Sequence, residues 1–477
     1  MKTKIIALII CVMLCMTALP ASASDTWPQF MKDAQHIGYT TSEAPDTNDI
    51  LWISEKLANG FTLVSASSVA VVEGKVFANA IKGPMDEYGN PLPGAVGELV
   101  AFNMYTGEKA WNTTIAVPEW GSWSSPAYYN GYVYTSTGKN TTCVNASTGV
   151  TKWTFANPSN RASCNGGPVI ADGKVIVSDW DGGYYYCLDG ATGAVLWSYS
   201  VGSYSYAQST PAVSDGKIIF TSWNNVYCVD MNGNTVWTKA NPSSTGSLCG
   251  SPSISGNIVY LTTYDFYSDD NTALFALDIN NNGNLIWSAV IQRTDSTPAI
   301  ANGFLYVCGG ASGFSESQTY CFNALDGTLI WSTPKQWDGI GDWTVSTTVA
   351  DGKVFVGKPS GAYMGQTGLY ALNATTGAEV WHSGYGGGTA AIADGIVYSI
   401  GIDQADGVAY LYAFGELSDW NPWNDPDSDG GAYITFAEVM EAYNCFATQT
   451  GAPKTGAPID FATVMTLYGA FASNTPM

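Results

Sequence analysis

The sequence predicts an all-β fold: an eight-bladed β-propeller closed by its N-terminal strand, with a small pair of α-helices at the C-terminus. Three observations carry this. The chain repeats itself about every 40–50 residues, the period of propeller blades. Each repeat holds one tight glycine turn between two β-rich runs, at Gly74, Gly131, Gly173, Gly216, Gly256, Gly303, Gly352 and Gly395. Seven repeats end in a tryptophan (Trp111, Trp153, Trp197, Trp237, Trp287, Trp331 and Trp381), and Trp52 near the N-terminus supplies an eighth.

The cleanest unit runs from Gly167 to Ser178 and from Tyr185 to Trp197. It reads as strand, tight turn, strand, loop, strand, tight turn, strand. Every turn glycine follows Glu, Asn, Asp or Ser, pairs that let a hairpin reverse through positive φ. The flanking β-branched and aromatic runs alternate as strands do. The last unit lacks a fourth strand, because Tyr410 to Phe414 runs straight into a linker. Asp49 to Ser54, with Trp52, is expected to fill that place and so remove an open edge.

The recurring string SxPAVxDGxVY, followed by LYALDxxTGxxxW, resembles the PQQ-like repeat. Trp27-Pro-Gln-Phe and His36-Ile-Gly-Tyr are similar to the opening of many such chains. The resemblance spans Trp27 to about Gly415. It implies that Trp52 and the seven repeat tryptophans dock between adjacent blades. The family holds quinoprotein dehydrogenases as well as non-catalytic assembly and binding propellers, so the fold leaves function open.

Both ends differ from this core. Residues 1–23 read as a signal peptide: Lys2 and Lys4, an apolar run from Ile5 to Leu19, then Ala21-Ser22-Ala23. The run falls short of the ~20 residues that span a bilayer. The propeller is assigned to residues 24–416, secreted to the cell surface or beyond, with no membrane span after cleavage. A linker covers 417–424, and a duplicated module covers 425–477. Within it, Ile434–Ala447 matches Ile459–Ala472 at an offset of 25, each copy an amphipathic helix with apolar residues at 436, 439, 440, 443 and 446–447 in the first. The first copy is preceded by Asp425, Asp427, Asp429 and Gly430 and carries Glu438. This resembles the calcium loop of EF-hand and dockerin modules, with carboxylates at alternate positions converging on one hard cation. Two extra residues between Gly430 and Ile434 depart from that pattern. The second copy has Lys454 and Thr463 where Asp429 and Glu438 stand, so it lacks these ligands.

Charge and composition exclude some functions. The net charge is −22, with Arg161 and Arg293 the only arginines. Such a chain has no electrostatic footprint for nucleic acid. His36 and His382 are the only histidines, and neither sits in a catalytic or metal motif. Eight cysteines remain after residue 23. The pairs Cys143–Cys164, Cys228–Cys249 and Cys308–Cys321 are open to disulfide formation. Equally, Cys143, Cys187, Cys228 and Cys321 stand where the repeat calls for a small buried alanine.

An enzymatic reading would be a PQQ-dependent quinoprotein oxidoreductase. The resemblance would then put the cofactor over the central channel, with calcium, an Asp base and often a disulfide of adjacent cysteines. The chain has no adjacent cysteines and no catalytic Asp matched by motif, so no catalytic residue is assigned. A structural surface-layer component is a third class. Aromatic side chains outside the repeat point instead to binding. Trp120, Trp123, Trp180, Trp223, Trp337 and Trp343 fall in loops that emerge on one face, joined by Tyr204, Tyr206, Tyr264, Phe266 and Tyr267. They suit a protein or polysaccharide partner, or they cover the blade tops and plug the channel. The favoured expectation is a non-catalytic binding or assembly propeller with a calcium-dependent docking tail.

Overall fold

The computed structural model describes residues 25–59, 66–86, 90–118, 124–163, 166–202, 205–243, 246–265, 272–311, 314–359, 366–416, 433–450 and 459–476. The chain divides into two compact units, Thr26–Glu416 and one containing Leu417–Met477.

The described residues of the first unit form eight sheets, each the blade of a propeller. Blade 3 is representative, with strands Val169–Ala171, Lys174–Ser178, Tyr184–Asp189 and Val195–Ser200 from the axis outward. Seven of the eight inner hairpins put both turn residues at positive φ, as Asp172 and Gly173 do at 52° and 73°. That is a type I′ turn, whose twist matches the strands it joins. In the fifth blade the glycine comes first, at Gly256. The eighth blade takes its outer strand, Ile50–Ile53, from the N-terminus, where it pairs with Val408–Phe414. The ring closes as expected.

Each tryptophan has a defined place. It lies opposite a small residue of the third strand, at a register shift: Cys187 faces Trp197, Ala276 faces Trp287, and Ala413 faces Trp52. The bulge re-aims the indole toward the next blade. There its Nε1 donates to a backbone carbonyl. Trp52, Trp111, Trp153, Trp197, Trp237, Trp287 and Trp331 reach Met104, Ala146, Gly190, Met231, Ile279, Ala324 and Ala374 at 2.8–3.2 Å. Trp381 of blade 7 donates to Pro45, just ahead of the closing strand, at 2.8 Å, and Trp52 on Met104 closes the circle. A turn glycine of the neighbouring blade lies on the ring face. A Cβ at Gly193 would stand 2.7 Å from Trp153, and one at Gly327 2.5 Å from Trp287.

The same packing accounts for the cysteines. Cys143, Cys187, Cys228 and Cys321 all stand opposite a tryptophan, where only a small side chain fits. The described cysteines are buried free thiols. Burial pushes the thiols of Cys187, Cys228 and Cys321 up to about 12, so they stay protonated and unreactive. Cys164 lies outside the described residues.

In the C-terminal unit, α1 (Phe436–Thr448) and α2 (Phe461–Ser473) pack as a hairpin. Its core is Ile434, Val439, Ala442, Cys445, Ile459, Val464 and Leu467. The buried face of α1 is therefore rotated from the expected one. Phe436 is 57% and Met440 41% exposed, and fully buried Ala442 takes the centre. A small residue lets two helices approach closely, and the rings move to the flanks. There Phe436 meets Phe471 and Phe446 meets Phe461, both at 5.7 Å. The two pairs are related by the offset of 25, so the hairpin has a pseudo-twofold axis.

Two outcomes are expected. Removing residues 26–53 should abolish cooperative unfolding and yield aggregates in size-exclusion chromatography, since the ring loses a strand and Pro45. Trp197→Ala should lower stability by about 3–5 kcal/mol in denaturant titration, and exposed Trp337→Ala by under about 1 kcal/mol.

Candidate functional site

In each blade the second-to-third and fourth-to-first connections emerge on one face, and the inner strands surround the axis. An inner strand has a free edge, and each middle residue carries an N–H with no strand beside it. The N-terminal segment supplies the missing acceptors. Trp27 pairs with Val71 in both directions at 2.8 Å. The carbonyls of Pro28, Ala34, Gln35, Ile37 and Gly38 accept from Tyr128, Val213, Ile254, Ile300 and Val349 at 2.6–2.8 Å. Gln29 Oε1 accepts from Ile170 at 2.9 Å, and Ser42 Oγ accepts from Gly395 at 3.0 Å. One stretch of chain thus contacts every blade in turn. Winding so tightly takes left-handed backbone at Met31, Lys32 and His36, with φ of 51°, 76° and 60°. Buried His36 is held neutral, its pKa drawn down to about 4 by burial, while Nδ1 lies 2.8 Å from the Pro252 carbonyl.

This segment occupies the axis, and Phe30 faces a small cavity of about 20 Å³ on the side of the fourth-to-first connections. The other lining residues are Ala66, Ser125, Gln208, Thr210, Cys249, Ser251, Asp295, Thr297, Thr344 and Thr389. Many are small and hydroxylated for a reason rooted in the repeat. Three residues before each middle residue stand Ser68, Ser125, Gly167, Thr210, Ser251, Thr297, Ser346 and Thr389. Backbone N–H groups at this level donate to the hydroxyl of the next blade: Ser68 to Ser125 at 3.0 Å, and Gly167 to Thr210, Thr210 to Ser251, Thr297 to Ser346 and Ser346 to Thr389, each at 2.9 Å. The girdle is written in the sequence as Ser or Thr at one repeat position in every blade but the third, which has Gly167, yet its role appears only when neighbouring blades meet.

Two carboxyls stand out. Asp295 is pushed up to about 8 by burial, which a hydrogen bond with the Cys249 thiol only partly offsets. Its Oδ1 is sealed from solvent without a hydrogen-bond partner, and Gln208 Nε2 reaches Oδ2 at a long 3.4 Å. Asp342 is pushed up to about 7, again by burial, with N–H donation from Thr344 pulling it part-way back.

Aromatic rings adjoin this mouth. Trp180 lies 5.8 Å from Tyr206, which stacks on Trp223 at 4.0 Å. Trp223 joins Tyr264, Trp343 and Cys249 in one apolar cluster, with Tyr264 5.0 Å from Trp343. Trp223 Nε1 also holds Gln208 Oε1 at 3.2 Å. Of the sequence candidates, Trp180, Trp223 and Trp343 are thus brought together. Trp343 is only 5% exposed and acts as filling, while Trp337 is 59% exposed. Trp120, Trp123, Tyr204, Phe266 and Tyr267 lie outside the described residues. So do Asp425, Asp427 and Asp429. The fourth carboxylate, Glu438, forms a capping box with Thr435: its Oε2 accepts from Thr435 N and Oγ1 at 2.6 and 2.8 Å. Among the described residues no cluster of three or more His, Cys, Asp or Glu could hold a metal.

The cavity beside Phe30, about 20 Å³, has room for a water-sized group.

Repeat, ring and girdle define a PQQ-type-repeat propeller. The chain belongs to the PQQ_2 family, described as outer membrane protein assembly factor BamB, whose model matches residues 42–199, 157–317 and 315–416. A stretch of 140 residues, 28% of this chain, is 32% identical to a protein of Paracoccus denitrificans named as dehydrogenase XoxF, and spans 22% of that relative's length. The fold is similar to that of quinohemoprotein alcohol dehydrogenase from Comamonas testosteroni (TM-score 0.59, 12% identity, 88% of this chain and 84% of that one). It is likewise similar to a europium-containing methanol dehydrogenase (TM-score 0.56, 12% identity, 82% and 98%). At such identities the likeness is one of fold alone.

The buried carboxyls set a pH dependence. Unfolded carboxyls ionise near pH 4. As pH rises the unfolded chain releases these protons first, so the stability held by protonated Asp295 and Asp342 is present below about pH 4 and lost by about pH 8. His36 acts oppositely, its contribution being lost as pH falls from about 6.5 through 4. Asp295→Asn should leave the melting temperature unchanged at pH 4 and raise stability at pH 9 by about 1–3 kcal/mol, measured by calorimetry.

Proposed function

We propose that this chain is an exported, non-catalytic binding propeller. Its face around the axial mouth recognises a protein partner, and its C-terminal module docks in a calcium-dependent way. The observation that carries the reading is a channel filled by the chain's own N-terminal segment, next to a row of half-buried aromatics at Trp180, Tyr206 and Trp223. Rigid rings of this kind supply contact area at little cost in conformational entropy, as recognition surfaces require. Membership of a family described as an assembly factor supports a protein partner. The leader-like residues 1–23 support export.

A PQQ-dependent oxidoreductase is the second reading, favoured by the similarity to XoxF. The small size of the cavity beside Phe30 favours the first reading. Adding PQQ and calcium to the purified chain and assaying dye reduction separates the two, since measurable turnover would reverse the order.

Two outcomes are expected. Tyr206→Ala with Trp223→Ala should reduce partner capture from envelope extracts at least tenfold while blade melting is kept, and a glycan array should give no hits. Calcium should bind once per chain in calorimetry, at roughly 10⁻⁶ to 10⁻³ M. Asp427→Asn or Asp429→Ala should abolish it and Lys454→Ala leave it intact.

A further inference from the structure

Four asparagines head an Asn-x-Ser/Thr triplet, the acceptor pattern for an amide-linked sugar in exported chains: Asn112, Asn140, Asn145 and Asn373. The fold treats them differently. Asn140 lies in a strand paired on both sides, and the hydroxyl residue of its triplet, Thr142, is buried. Asn112 is exposed on an outer strand, but its Nδ2 donates to Glu98 Oε1 at 2.8 Å. Asn145 opens the third-to-fourth turn of blade 2 and is half-buried. Asn373 opens the same turn in blade 7, and both it and Thr375 are exposed.

What the turn asks of Asn373 is one oxygen. Its Oδ1 accepts from Thr375 N and Thr376 N, each at 3.0 Å, and from Thr376 Oγ1 at 3.1 Å. In blade 3 Asp189 holds the same turn with no amide nitrogen, accepting from Ala191 N, Thr192 N and Thr192 Oγ1 at 3.1, 2.8 and 2.7 Å. Ala191 stands there in the place of Thr375, so the turn needs no hydroxyl at that position either. The two groups that make the triplet, Asn373 Nδ2 and Thr375 Oγ1, form no hydrogen bond among the described residues. Both are surplus to the fold and stand on a fixed base. The Ala374 carbonyl accepts from Trp331 Nε1 at 3.0 Å and from the Tyr306 hydroxyl at 3.1 Å, and Gly377 lies on the Trp331 ring. A sugar on Nδ2 turns a primary amide into a secondary one and leaves Oδ1 an acceptor, so all three turn bonds survive it.

We propose that Asn373 is the acceptor of an N-linked glycan. In the transfer, Nδ2 attacks C1 of a sugar activated as a phosphate ester. The N–C1 bond forms, the C1–O bond breaks with its electron pair going to the departing phosphate, and Nδ2 gives up one proton to a base of the transferase. The proposal rests on export of the chain, read from residues 1–23. Within a blade the third-to-fourth turn lies on the face opposite the second-to-third and fourth-to-first connections. The glycan therefore sits away from the axial mouth and leaves Trp180, Tyr206 and Trp223 clear for the partner of the binding-propeller reading above.

The test is peptide mapping by mass spectrometry of the protein isolated from its native source, against the same chain made in a host without N-glycosylation. The peptide that holds Asn373 should be heavier by at least one sugar residue, with fragmentation placing the added mass on Asn373. Thr375→Ala, expressed in that source, should lose the addition, and Thr375→Ser should keep it. Asn373→Asp should lose it with an unchanged melting curve, because Asp189 shows that a carboxylate holds this turn; loss of the sugar is thus told apart from loss of the fold. Partner capture by Asn373→Asp should match that of the unaltered chain. An unmodified Asn373 in the native protein overturns the proposal, whatever the other three asparagines carry. If that protein has lost residues 1–23, the glycan site alone has failed; if it still carries them, so has the export reading. A glycan on Asn373 in a chain that captures no partner sustains the site and sinks the binding-propeller reading.

Discussion

The ring depends on one contact made eight times, an indole N–H donating to a backbone carbonyl, seven times on the neighbouring blade and once, from Trp381, on Pro45 of the N-terminal segment. Each such bond is worth about 1 kcal/mol net, and the ring adds large apolar area to it. Its geometric effect matters more. A bulge opposite an alanine or cysteine turns the indole out of its own sheet, and a glycine in the next blade leaves room for the ring face. Both requirements are local, so the contact is repeated wherever the repeat is repeated. Because the tryptophan of blade 8 is Trp52, from the N-terminal strand, and it docks on Met104 of blade 1, the number of blades is settled by where the chain turns back on its own beginning.

That beginning does three jobs within about thirty residues. Trp27 to Gly38 fill the axis, Pro45 receives the last tryptophan, and Ile50–Ile53 complete the last sheet. Lys353 ties the segment down, its Nζ bonded to the Ala44 carbonyl and to Asp46 and Asp351 at 2.7–3.0 Å. A segment that satisfies an N–H from each blade also occupies the axial channel, so the polar mouth lies against this segment, on the side of the fourth-to-first connections. The site is a by-product of how the inner edges are satisfied.

Within that mouth the girdle hydroxyls accept backbone N–H groups, Arg293 bonds to Ser315 and the Asp265 carbonyl, and Asp295 meets the Cys249 thiol and Gln208. A natural fold keeps such a group only where the rest of the structure holds it in place. The aromatic row beside it differs from the blade tryptophans in its partners, since Tyr206 stacks on Trp223 and not on a turn glycine of the next blade.

The sequence by itself determined the blade count, the turn types, the closing strand and the helical hairpin. Each is set by residues close together in the chain: an Asp-Gly pair, an alternating run, a tryptophan at a fixed offset. It also pointed to the face on which Trp180, Trp223 and Trp343 lie, since the loop order of a blade dictates the face. It did not reveal that the N-terminal segment threads the axis, nor that α1 turns Ala442 and not Phe436 inward. Neither did it single out Asp295, one aspartate among many. Those features belong to the tertiary structure for a common reason. A free strand edge, a helix pair's closest approach and a carboxyl cut off from water are properties of what lies opposite, and what lies opposite comes from residues far away in the chain.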